Sequence, residues 1–202
     1  MITVDNIQQL SPEWFAARCG IPSSSNFDKI VTSAGAPSKQ AQKYMYQLAA
    51  ERITGFKETG YTNDTMKRGI ELEGEARGLF EIITENDVKQ VGLCYDDDKK
   101  YLCSPDGLLG DCGLELKNPL SHTHVSYLLN NQQLVKDYHH QVQGAMLVTG
   151  FFHWWLMSHY PRLPPLIIKV ERDALFCAAL KKALDQFCAD LDNLTGQIRN
   201  MG

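Results

Sequence analysis

A chain of 202 residues, 44% of them hydrophobic and 22% charged, is long enough for one domain with a sizeable core and too apolar to be disordered. Its net charge of −4 argues against a general nucleic-acid coat but leaves room for a local basic groove, because binding follows the local charge distribution. The most apolar run, "FFHWWLM", is far too short to cross a bilayer, and the start lacks a basic segment leading into an apolar one, so a cytoplasmic protein with no membrane partner is expected.

In chain order, "SPEWFAARCG" reads as a capped helical start, with Ser11 as the cap and Pro12 at the first helical position. "SKQAQKYMYQLAAERITG" reads as a helix ending at Gly55, followed by a loop over 56–64. Residues 65–84, "TMKRGIELEGEARGLFEIIT", read as one further helix. The stretch from Asp87 to Lys117 reads as short strands joined by tight turns, with "DDDKK" and "LGDCG" as the hairpin signals. Helix returns over "SYLLNNQQLVKDYHHQVQGAMLVTG". Two strands follow, "FFHWWLMSHY" and "PLIIKVERD", and an amphipathic helix closes the chain. Helices flanking a mixed sheet give an α/β fold, read as a single domain over 1–202. The six cysteines contain no C-x-x-C pair and read as reduced core thiols. The close pairs His122/His124 and His139/His140 lack a metal-ligand pattern.

"CSPDGLLGDCGLELKNP" carries the chemistry. Strand side chains alternate between faces, so Glu115 and Lys117 share one face roughly 6.6 Å apart, while Leu114 and Leu116 point to the core. A hairpin brings Asp106 to the same polar face. Two converging carboxylates repel unless a cation lies between them, and hard oxygen donors suit Mg²⁺, or Mn²⁺ in its place. A lysine beside them, with its pKa lowered by burial, positions or deprotonates a water. Such a set suits metal-assisted hydrolysis of phosphodiesters. Upstream, Glu73 and Glu75 fall on the two edges of an apolar face formed by Leu72, Ala76, Leu79, Phe80 and Ile83. Each lies roughly 80° from its centre, so periodicity alone does not choose between them.

These residues match the P-D…(D/E)-x-K signature of a large nuclease superfamily. With "EWFAARCGIPSSS", "RGIELEGEAR", "HHQVQGAMLVTG" and "VERD" in the same order, the chain resembles the phage-lambda-type exonucleases, or YqaJ-like viral recombinases, from Trp14 to about Asp173. The resemblance implies a restriction-endonuclease-like core, a central mixed sheet flanked by helices. It implies Asp106, Glu115, the Leu116 carbonyl and Glu73 as metal ligands, with Lys117 as the catalytic lysine and Gln141 as an active-site glutamine. By the same resemblance Arg18 and Ser25 hold a 5′-terminal phosphate and Trp14 stacks on DNA. Where relatives carry an arginine after the catalytic lysine, this chain has "NPLSHTHVS", with His122 and His124.

The implied activity is a Mg²⁺-dependent exonuclease that digests linear double-stranded DNA 5′ to 3′. It releases 5′-mononucleotides and leaves 3′ single strands for recombination. A ring-shaped homotrimer and a single-strand annealing partner are implied too. The alternatives are a restriction- or repair-type endonuclease of the same superfamily, or a non-catalytic DNA-binding module. The intact Asp106, Glu115 and Lys117 set argues against the latter.

Overall fold

The computed structural model describes residues 1–57 and 64–201, so the loop read over 56–64 lies largely outside the described residues. The chain opens with β1 (Ile2–Val4) and α1 (Pro12–Arg18), then a 3₁₀ turn over Ser24–Lys29. Next come α2 (Ala41–Thr54), α3 (Asp64–Glu71) and α4 (Glu73–Thr84). Four short strands follow: β2 (Leu93–Tyr95), β3 (Leu102–Cys103), β4 (Gly107–Leu109) and β5 (Cys112–Lys117). Three helices, α5 (Ser121–Leu129), α6 (Asn131–Asp137) and α7 (His139–Thr149), lead to β6 (His153–Ser158), β7 (Leu166–Glu171) and the long α8 (Ala174–Arg199).

The caps behave as the residues dictate. The Ser11 hydroxyl accepts from the Trp14 amide at 3.2 Å, satisfying a donor that the first turn of α1 leaves open. Gly55, at φ 67°, ends α2 in the left-handed conformation that suits a residue without a Cβ. The expected single helix over 65–84 is instead two, broken at Leu72. Leu72 keeps a near-helical φ of −86° but flattens to ψ −7°, and the helix breaks there. The helix read after "NPLSH" likewise divides, at Asn130 and Tyr138. The fully buried Ala76 and Phe80 and the partly buried Leu79 carry the apolar face of α4, whereas Ile83, in its last turn, stays exposed.

The strands form two sheets. One is antiparallel with order β1-β2-β3, and its first strand, at the N-terminus, carried no sequence signal. The other has order β4-β5-β6-β7, with β5 and β6 parallel and the outer pairs antiparallel. Parallel neighbours need a crossover, and α5 to α7 supply it. One side of the four-stranded sheet packs on α4 through Leu114, Leu116 and Met157. The other packs on α7 and α8 through Trp154, Leu156, Met146 and Leu180. Gly144 lets α7 approach the 3₁₀ turn closely, since a Cβ there would fall 2.5 Å from the Phe27 ring. Among the described residues, no helix is long and apolar enough to cross a membrane.

Candidate active site

The β4–β5 hairpin sets the site. Gly107 pairs with Leu114, so Asp106 stands opposite Glu115. Only glycine fits at 107, because a Cβ would fall 2.0 Å from Val88 Cγ1. The Asp106 amide donates to the Leu114 carbonyl at 3.1 Å, and its Oδ2 accepts from the Leu116 amide at 2.6 Å. The carboxyl is thereby fixed against the strand that carries the other acid. Glu115 is only 4% exposed. Its Oε1 accepts from Lys117 Nζ at 2.6 Å and from Gln141 Nε2 at 2.5 Å, while Gln141 Oε1 accepts from the same ammonium at 3.1 Å. Lys117 Nζ also lies 4.5 Å from the centre of the Tyr138 ring, a cation–π contact at the head of α7. Asp106, Glu115, Lys117 and Gln141 are therefore one cluster, built by the hairpin and the crossover helix.

Glu73 joins from α4. It lines, with Asp106, a cavity of about 520 Å³ walled by residues 5–10, Arg77 and Gln90. Arg77, one turn along, pairs with the Glu73 carboxylate and donates from Nε to the Asp106 carbonyl at 3.3 Å. Glu75 points elsewhere, toward His159 Nε2 at 3.1 Å. Glu73 thus shares a cavity with Asp106, whereas Glu75 does not line it.

The electrostatics follow from burial and like charge. Burial, then the Glu115 carboxylate, push the Asp106 carboxyl well above the usual range; Lys117 opposes this, Glu73 adds to it and the Leu116 amide opposes it. Lys117 departs from the sequence expectation. Burial does work against its charge, but Glu115 and Asp106 outweigh it and hold the ammonium above its ordinary value. Glu115 and Glu73 both raise the Asp106 carboxyl, which is reluctant to ionise without a cation, and hard oxygen donors of this kind fit Mg²⁺ or Mn²⁺. Asp106, Glu115 and Glu73 would hold such an ion, with the main chain of Leu116 beside them.

The end-binding candidates lie close by. Arg18 is buried, its Nη1 donates to Ser104 Oγ at 2.5 Å, and Ser104 stands two residues before Asp106. Its guanidinium lies 4.2 Å from the centre of the Trp14 ring, and its Nε is buried without a hydrogen-bond partner. Trp14 itself is 9% exposed and donates from Nε1 to the Gly92 carbonyl at 2.9 Å, so its ring packs inside the molecule beneath Arg18. Ser25 is exposed, and its hydroxyl shares hydrogen bonds with Ser23 and Asn26 rather than with the carboxylate cluster. His124 is buried between Ser158 Oγ at 2.7 Å and the Pro164 carbonyl at 3.0 Å, and burial lowers its pKa. Its ring is thus committed to the fold.

Sequence reasoning missed Arg77, Tyr138 and His159. Arg77 had a signal, its i,i+4 spacing from Glu73. Tyr138 reaches the cluster only through the crossover, and His159, one residue past the end of β6, donates its amide to the Lys117 carbonyl at 2.8 Å.

Residues 13–152 match the YqaJ-like viral recombinase domain. The chain belongs to this family. The YqaJ-like chain is also similar to solved structures. One is the alkaline exonuclease LHK-Exo from Laribacter hongkongensis, at 31% identity and a TM-score of 0.85 over 95% of this chain and 97% of that one. LHK-Exo in complex with dAMP matches with the same values. A phage-related exonuclease from Haemophilus somnus 129PT, at 14% identity and a TM-score of 0.72 over 88% of this chain and 96% of that one, shares the fold. No curated protein matches.

Proposed function

We propose that the chain is a divalent-cation-dependent exonuclease that degrades linear duplex DNA from 5′ ends, releases 5′-mononucleotides and leaves 3′ single strands for annealing. The observation that carries this reading is the convergence of Asp106, Glu115, Lys117 and Gln141 on one polar face, in a chain of the YqaJ-like family. LHK-Exo, similar over nearly its whole length, is an exonuclease whose complex with dAMP holds a deoxynucleoside monophosphate, the chemical class of the proposed product.

A bound Mg²⁺ supplies Lewis acidity toward the scissile phosphate and eases deprotonation of a water. The protein groups do the rest. Asp106, Glu115 and Glu73 provide the oxygen donors, with Arg77 steering Glu73 and the Leu116 amide steering Asp106. Gln141 and Tyr138 keep Lys117 Nζ beside the attacking water. A cation sharing the carboxylate charge would relieve the pairing that keeps Lys117 protonated, and its Nζ would then be the group to accept the water's proton. The water oxygen bonds to phosphorus, the P–O3′ bond breaks, and the departing 3′ oxygen takes up a proton. Arg18, carried on Trp14 and joined to Ser104, places a guanidinium where a terminal phosphate meets the site.

The test uses linear duplexes labelled at the 5′ or the 3′ end, with Mg²⁺ or with EDTA. We expect label to leave 5′ ends first as mononucleotide, only with Mg²⁺, and covalently closed circles to survive. Cutting of closed circles, or full activity in EDTA, would refute the reading.

A further inference from the structure

A second cluster of ligating side chains lies at the far end of β5. Asp111 stands in the β4–β5 turn, Cys112 opens β5 and His153 opens β6. The parallel register pairs Gly113 with Trp154, which sets Cys112 beside His153 one step earlier. A carboxylate oxygen, the thiol sulfur and an imidazole nitrogen lie within 4.8 Å of one another. This cluster is separate from the carboxylates of the active site. Cys112 alternates with Leu114 and Leu116 on the α4 side of the sheet, whereas Glu115 and Lys117 share the opposite face. Along the strand the two clusters stand three to five residues apart, roughly 10–17 Å.

The donor set has a chemical preference. Hard cations such as Mg²⁺ favour all-oxygen sites, whereas a mixed thiolate, imidazole and carboxylate set suits Zn²⁺. The surroundings act in both directions. The thiol now donates to the Leu109 carbonyl at 3.3 Å, and burial and Asp111 keep its proton on. Lys169 and the Trp155 indole act the other way, so two groups are already placed to stabilise the sulfur once that proton leaves. The ligands sit on two rigid strands, and Gly110, at φ 60°, turns the chain so that Asp111 folds back over them.

We propose that Asp111, Cys112 and His153 form a second metal site, which takes one Zn²⁺-class ion and ties the β4–β5 turn to the start of β6. Its role is to pin β5 against β6 at the end remote from the chemistry, stabilising the folded chain by mass action because the unfolded chain scatters these ligands. Sequence spacing gave no hint, because Cys112 and His153 meet only through the parallel register.

The test titrates the EDTA-stripped full chain with Co²⁺ and Zn²⁺ in excess Mg²⁺, which occupies the carboxylate site. We expect one equivalent of Co²⁺ to give a near-ultraviolet thiolate charge-transfer band, and Zn²⁺ to raise the thermal midpoint. Cys112→Ser should abolish the band. His153→Gln, at a half-buried position, should keep the fold and Mg²⁺-supported activity while weakening Zn²⁺ binding by roughly tenfold or more. Absence of the thiolate band, or Zn²⁺ affinity and midpoint shift unchanged in His153→Gln, overturns the proposal. Neither outcome depends on the nuclease reading.

Discussion

Two side chains decide how the site responds to pH. Asp106 is held above the carboxylate range by burial and by Glu115, and Lys117 is held above its ordinary value because its two carboxylate neighbours outweigh burial. A cation must displace the Asp106 proton to bind, so Mg²⁺ affinity should climb with pH, by at most about tenfold per unit for one proton released. Lys117 loses its proton more readily in the same direction. Initial rates at limiting Mg²⁺ should therefore rise from pH 7 to pH 9, and a flat profile would show that these groups do not govern the reaction. Arg18 makes a different prediction. In the proposed function its buried guanidinium would pair with a terminal phosphate, whereas a terminal hydroxyl offers no charge to pair with. Arg18→Ala should erase a preference for 5′-phosphorylated ends of roughly ten- to hundredfold, the range of a charge-assisted hydrogen bond of about 1.5–3 kcal/mol. Arg18→Lys, which restores charge without the planar fork, should recover only part of it in competition between the two substrates.

Among the elements, β5 is the most constrained. Gly113 lies directly against its register partner, and a Cβ there would fall 2.2 Å from the Trp154 indole. Gly113→Ala should cost about 1–3 kcal/mol in urea unfolding, as overpacking does, and should reduce cleavage because Glu115 lies two residues along the same strand. Unchanged stability would mean that the indole yields easily. The hairpin itself was legible in the sequence: Pro-Asp-Gly, the "LGDCG" turn and Glu-Leu-Lys are local signals, and they put Asp106 opposite Glu115. So were the Ser11 and Gly55 caps, because capping chemistry is also local. What stayed hidden depends on distant partners. β1 is a strand only because Ile2–Val4 pair with Leu93–Tyr95. The break at Leu72 has no glycine or proline to announce it. Trp14 packs inside with its indole nitrogen on the Gly92 carbonyl, a partner 78 residues away.

At the scale of the whole molecule, a net charge of −4 gives weak grip over most of the surface, since duplex affinity comes largely from lysine and arginine on phosphates. Staying on DNA between cuts would then ask for enclosure, which a closed ring of three copies around the duplex would provide. Light scattering should give three times the 22.8 kDa chain mass. A monomeric mass together with long uninterrupted digestion of single DNA molecules would exclude enclosure as the cause. The crossover between β5 and β6 also governs timing. The Asp106–Lys117 hairpin is local and can form as soon as it is made, but the partner strand of β5 arrives only after residues 118–152. Long-range parallel pairing is slow to form. A chain still emerging from the ribosome thus carries its carboxylates without Gln141 and Tyr138 to steady Lys117, or the β6 strand to hold β5 in place. In the proposed function the cutting chemistry would therefore be armed last, when the sheet closes.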